Sequence, residues 1–153
     1  MEFRRKQNRL RNYDYSSKGL YFVTICVENR SCRLGKVIHN DMIQGAHVQL
    51  SEEGHLVNDV ICHLPDVFSN VCIHNHIVMP NHVHIIIELK SVDKTISHIV
   101  NYLKGYITRR VDGKLWQRSF FDHVIRSEDD FEKTWAYIDN NPGKWLEDRY
   151  YVP

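Results

Sequence analysis

Two runs of strand-forming residues, 72–79 and 83–89, are separated by little more than Pro80-Asn81. This pair constrains the fold more than any other feature. Proline and asparagine favour a tight turn, and a link this short joins only antiparallel strands. The turn also sets the phase of every side chain in the hairpin, because successive residues on a strand alternate faces. Counting outward from it, Met79 stands opposite His82 and Ile77 opposite His84. Val83, Ile85 and Ile87 then point to the other face, into a core. The same count places His74 and His76 on that other face, away from His82 and His84.

The remaining chain supplies partners for this hairpin. Residues 20–27 are rich in β-branched and aromatic side chains and read as a strand. Residues 35–38 and 46–50 read as two weaker strands, with a turn near Asn40-Asp41. Ser51 is a good N-cap, and Glu52 and Glu53 suit the positive end of a helix whose apolar residues are Leu56, Val57, Val60, Ile61 and Leu64. Pro65 should end that helix or follow its end. A second helix is expected over 95–110, with Ile96, Ile99, Val100, Leu103 and Ile107 as its stripe and Asp112-Gly113 closing it. After a short extended piece at 120–126, a third helix follows Ser127 and ends before Pro142. Its expected apolar stripe is Phe131, Trp135 and Ile138. This order suits an α+β domain, an antiparallel sheet with helices packed on it.

The chain has 153 residues, enough for one domain with a real core. We divide it into a basic N-terminal arm, 1–19, and a single domain, 20–153. The longest apolar run, Ile85-Ile86-Ile87, is far too short to span a bilayer, and the first residues lack the apolar core of a signal peptide. A cytoplasmic protein with no membrane partner is therefore expected. Four cysteines without a C-x-x-C pair read as reduced thiols. Net charge is only +1, yet it is unevenly distributed. Arg4, Arg5, Arg9 and Arg11 crowd the arm; Lys104, Arg109, Arg110, Lys114 and Arg118 form a second cluster. Such clusters suit phosphate contact or simply a solvated surface.

On one strand face, His82 and His84 present two imidazoles side by side, enough for two positions of a divalent metal. A third protein ligand and open positions would then be needed. With ten histidines in the chain, a chance H-x-H is also expected, and His74-Asn75-His76 is one such pattern. The third helix carries Tyr137 and, one turn later, Asn141 on nearly the same face. An amide oxygen suits Mg²⁺ or Mn²⁺, and a phenol can act as a nucleophile. A surface tyrosine and a helix stop at Asn140-Asn141-Pro142 are the plainer reading of the same residues.

Taken in order, these segments resemble a known family. Tyr21-Phe22-Val23-Thr24-Ile25-Cys26, Met79-Pro80-Asn81-His82-Val83-His84, Trp116-Gln117-Arg118, Phe121-Asp122-His123-Val124-Ile125-Arg126 and Tyr137-Ile138-Asp139-Asn140-Asn141-Pro142 are similar to the insertion-sequence-type, single-tyrosine transposases of the HUH class. The branch most resembled is the REP-associated tyrosine transposases. The resemblance implies a ferredoxin-like antiparallel sheet with helices. It implies that His82 and His84 bind a divalent metal, Mg²⁺ or Mn²⁺, that Asn141 is the polar ligand on the tyrosine helix, and that Tyr137 is the nucleophile. It further implies cutting and rejoining of single-stranded DNA beside hairpins through a 5′-phosphotyrosine, by a monomer or a homodimer.

For DNA contact the residues to watch are Arg4, Arg5, Arg9, Arg11, Lys104, Arg109, Arg110, Arg118 and Arg126, with Trp116, Phe120 and Phe121 able to stack bases or to pack in the core. His123 can assist proton transfer or simply pack. Two rival readings use the same residues differently. One is a non-catalytic, domesticated DNA- or RNA-binding regulator on the same fold. The other is a metallonuclease that hydrolyses with an activated water and never attaches DNA to itself.

Overall fold

A computed structural model of the chain describes residues 18–39 and 45–153. The arginines of the N-terminal arm and the turn expected at Asn40-Asp41 lie outside these residues. Four strands, β1 (Gly19–Cys26), β4 (Val71–Met79), β5 (His82–Leu89) and β6 (Phe121–Ile125), form one sheet in the order β4-β5-β1-β6. All neighbours in it are antiparallel. With α1 (Glu52–Val67) and α2 (Ile96–Thr108), the sheet strands run β-α-β-β-α-β along the chain, the ferredoxin-like arrangement expected. A separate hairpin, β2 (Gly35–His39) and β3 (Ala46–Leu50), is inserted between β1 and α1.

The two sheet faces are covered unequally. On one, Val83, Ile85 and Ile87 of β5 and Tyr21, Val23 and Ile25 of β1 pack under the apolar stripes of α1 and α2 in a large core. On the other lies α3 (Glu128–Asn140), over a much smaller cluster of Phe22, Ile86, Ile125 and Ile138. The three helices start close to where the sequence places them. Ser51, Thr95 and Ser127 each accept a backbone N–H from three residues on. Pro65 sits inside the last turn of α1, which runs only two residues beyond it. Gly54 lets α1 approach the β2 end closely, since a Cβ there would lie 2.0 Å from the Leu34 carbonyl oxygen.

Two expectations need correction. The hairpin register holds from the turn to Asn75, pairing Met79 with His82 and Ile77 with His84. It then slips, because a β-bulge leaves His74 unpaired between Ile73 and Asn75. One extra residue reverses the facing of the strand beyond it. His76 does lie on the α1 side, against Asn58. His74, by contrast, lies on the α3 side with Glu88 and the Phe131 ring. The buried face of α3 is also rotated from the one expected. Trp135 is 36% exposed, whereas Thr134 and Ile138 are buried and Tyr137 packs beside them. Tyr137 and Asn141 therefore belong to the sheet-facing side of α3.

Candidate active site

His82 and His84 lie at the start of β5, directly after a turn that is itself held fast. Val27 and Leu34 donate their backbone N–H groups to the carbonyls of Asn81 and Pro80, at 2.9 and 3.0 Å. Both imidazoles are fully buried. Each has its Nδ1 occupied. His84 Nδ1 meets the Thr24 hydroxyl at 2.8 Å, and His82 Nδ1 meets Asn81 Oδ1 at 2.8 Å. The orientation of the Asn81 amide is fixed independently, since its Nδ2 donates to the Tyr150 and Arg30 carbonyls. His82 therefore carries its proton on Nδ1 and keeps a lone pair on Nε2. Burial pushes the His82 pKa down to about 3, and it lowers His84 as well, with the neighbouring His82 adding to the effect. Both rings are neutral at physiological pH, the form that ligates metal.

Asn141 follows α3 directly and is also buried, its Nδ2 donating to the Tyr137 carbonyl at 3.0 Å. Its amide lies close enough to His82 to favour that ring's charged form, and close enough to the Tyr137 phenol to favour ionisation. The Tyr137 ring packs against His84 at 5.3 Å and edge-on to Phe22 at 6.0 Å. Burial, and then the charge of Asp148, raises the phenol's pKa. The structure thus brings together all four residues expected at the site, from β5 and α3 of a single chain.

The donor set passes a test for a divalent ion. His82 Nε2, His84 Nε2 and Asn141 Oδ1 are all buried without a hydrogen-bond partner. Orphaned buried polar atoms cost free energy. Two neutral imidazole nitrogens and one amide oxygen, with the imidazoles braced through Nδ1, match a metal's needs.

The segment after α3 closes over this site. A 3-10 stretch, Pro142–Glu147, returns the chain so that the Tyr150 ring lies 4.4 Å from His82 and the Asp148 carboxylate 3.8 Å from His82 Nε2. Beside Tyr137 opens a cleft of about 530 Å³, lined also by Lys133, Lys144, Asp148 and Arg149. These cations, Asp148 and Tyr150 were not singled out from sequence. Thr24 was the most accessible of the missed residues, because the strand pairing places it directly across from His84.

The other predicted residues stand elsewhere. Lys104 donates to the Gln117 and Ser119 carbonyls, both at 2.9 Å, tying α2 to the loop before β6. Arg110 stacks on Tyr106 at 3.5 Å and donates to its carbonyl. Arg109, Arg118 and Arg126 are on the surface. Trp116 is buried in the larger core, and Phe120 and Phe121 are half-buried, so packing is the reading that holds for Trp116. His123 is engaged with Asp130 in the first turn of α3 at 2.7 Å.

No protein-family model matches the chain. It is 33% identical to an uncharacterised protein of Haemophilus influenzae over 97% of this chain and 93% of the relative. It is 27% identical to a candidate REP-associated tyrosine transposase of the same organism, over 86% of this chain and 74% of that protein. A solved REP-associated tyrosine transposase bound to a REP hairpin superposes with a TM-score of 0.68 at 25% identity, covering 89% of this chain and 73% of that one. The four-stranded antiparallel sheet with its helices is thus a transposase fold. These similarities support a REP-associated tyrosine transposase-like family for the chain and a transposase-like, DNA-processing function.

Proposed function

We propose that the chain cuts and rejoins single-stranded DNA beside hairpins, with Tyr137 as nucleophile and a divalent ion, Mg²⁺ or Mn²⁺, held by His82, His84 and Asn141. The observation that carries this reading is the convergence of three buried, unpartnered ligand atoms beside a half-buried phenol. The solved relative's REP hairpin supports hairpin DNA as the substrate class. A bound ion would polarise a phosphate oxygen and offset the charge that develops on it.

The chain's own residues do the rest. Lys144 and Arg149 draw the scissile phosphate into the cleft at Tyr137. The phenol oxygen attacks phosphorus in line, and its proton leaves to solvent. The bond from phosphorus to the 3′ oxygen breaks, and that oxygen takes a proton from solvent, giving a 3′-hydroxyl and a 5′-phosphotyrosine. Phosphodiester energy is conserved in that link, so a second 3′-hydroxyl can displace the tyrosine without ATP. The arm's arginines, Arg4, Arg5, Arg9 and Arg11, and Arg109, Arg118 and Arg126 grip flanking backbone. A site complete within one chain supports action as a monomer.

The test is a denaturing gel after incubation with a single-stranded hairpin oligonucleotide and Mn²⁺. A covalent protein–DNA adduct is expected, and it should vanish in Tyr137→Phe while binding persists. Cleavage without an adduct would favour a hydrolytic metallonuclease. Binding with no cleavage would favour a regulator.

A further inference from the structure

The bulge in β4 does more than correct a register. Beyond it, Cys72 stands directly opposite Glu88, and His74 is turned onto the same sheet face. Among the described residues, these three side chains form a converging group whose ligand atoms all lie within 4.8 Å of one another. The His74 Nε2 is 2.6 Å from Glu88 Oε1, and both side chains are about a third exposed, at 31% and 35%. The Phe131 ring meets the His74 ring edge-on at 5.7 Å and limits its rotation. A bulge sacrifices ladder pairing, and a common outcome of that sacrifice is a re-aimed side chain. Here the re-aimed side chain is the imidazole that completes the group.

We propose that Cys72, His74 and Glu88 form a second metal site, separate from the histidine pair and built for a borderline-soft transition ion such as Zn²⁺. One sulfur, one nitrogen and one oxygen donor suit zinc, and a thiolate disfavours a hard ion such as Mg²⁺. Binding replaces the His74–Glu88 hydrogen bond with bonds from both to the ion, and the Cys72 thiol proton leaves as the sulfur–metal bond forms. The fourth position stays open to water, since the site is reached from solvent. Glu88 lies four residues along β5 from His84, roughly 13 Å at strand rise, so one ion cannot serve both places. The second site staples the far end of the β4–β5 hairpin beneath the first turns of α3.

Co²⁺ titrated into the reduced, full-length protein tests this, because only a thiolate ligand gives a sulfur-to-cobalt charge-transfer band. The band is expected in the wild type and in a His82→Ala/His84→Ala variant, and it should disappear on adding Zn²⁺. Cys72→Ser should abolish it, and His74→Gln should weaken cobalt binding at least tenfold, with circular dichroism confirming that each variant folds. Absence of the band in the wild type, its survival in Cys72→Ser, or its loss in the double histidine variant would each overturn the proposal.

Discussion

Thr24 and His84 face each other across the β1–β5 ladder, and their side chains meet at 2.8 Å with both groups fully buried. The hydroxyl orients the imidazole so that Nε2, not Nδ1, faces α3. Thr24→Val keeps the shape and removes the bond. Removing the brace behind a metal-ligating histidine typically costs about 10- to 100-fold in metal affinity. Mn²⁺ binding measured by calorimetry should weaken by that factor; unchanged affinity would remove Thr24 from the site.

Tyr150 is buried against His82, and its hydroxyl lacks a hydrogen-bond partner. Burial holds that phenol far above its usual pKa. Removing a buried, unsatisfied hydroxyl without changing shape is close to neutral or stabilising. Tyr150→Phe should therefore melt at or above the wild-type temperature and bind Mn²⁺ as tightly. A loss of Mn²⁺ affinity would instead make the Tyr150 oxygen a ligand.

Ser127 caps the helix that carries Tyr137, accepting the Asp130 N–H at 3.0 Å. Ser127→Ala should cost about 1 kcal/mol, or a fall in Tm of roughly 2–4 °C for a domain of this size. Thermal melts followed by circular dichroism provide the check.

Lys144 and Arg149 line the cleft beside Tyr137. Replacing each by alanine should weaken binding of single-stranded DNA regardless of sequence. The slope of log K against log salt should fall by about 0.7 for each phosphate that is no longer neutralised. Fluorescence anisotropy at several salt concentrations measures it; an unaltered slope would place the backbone elsewhere.

The parts legible in the sequence are those governed by local rules. Pro80-Asn81 fixed the phase of the hairpin, so the facing of His82, His84 and His76 could be counted correctly. His74 could not, because nothing in Cys72-Ile73-His74-Asn75 marks an extra residue in the ladder. Two helix starts were readable because Ser51 and Ser127 are side-chain caps, and the second helix was readable from its apolar stripe, with Thr95 emerging as its cap in the folded chain. The buried face of α3 was misjudged because Trp135 is apolar yet faces solvent, while Thr134 is polar yet buried. Tyr137 and Asn141 were found through spacing and family resemblance. Asp148 and Tyr150 reach His82 through an irregular segment with no periodicity to count, so only the folded chain reveals them.

The unequal covering of the two sheet faces has a consequence for how the molecule comes apart. Under α1 and α2 lies an extensive apolar interior, whereas α3 is held through a cluster with only four buried apolar residues, its own Ile138 among them. Local opening free energies follow buried apolar area, so amide hydrogens in α3 should exchange well before those of β1 and β5. The phenol is thus mounted on the detachable layer and the imidazoles on the permanent one. A brief lift of α3 would carry Tyr137 and Asn141 away from the two imidazoles at little cost to the sheet, so the site would be assembled by docking of a helix with the fold itself intact.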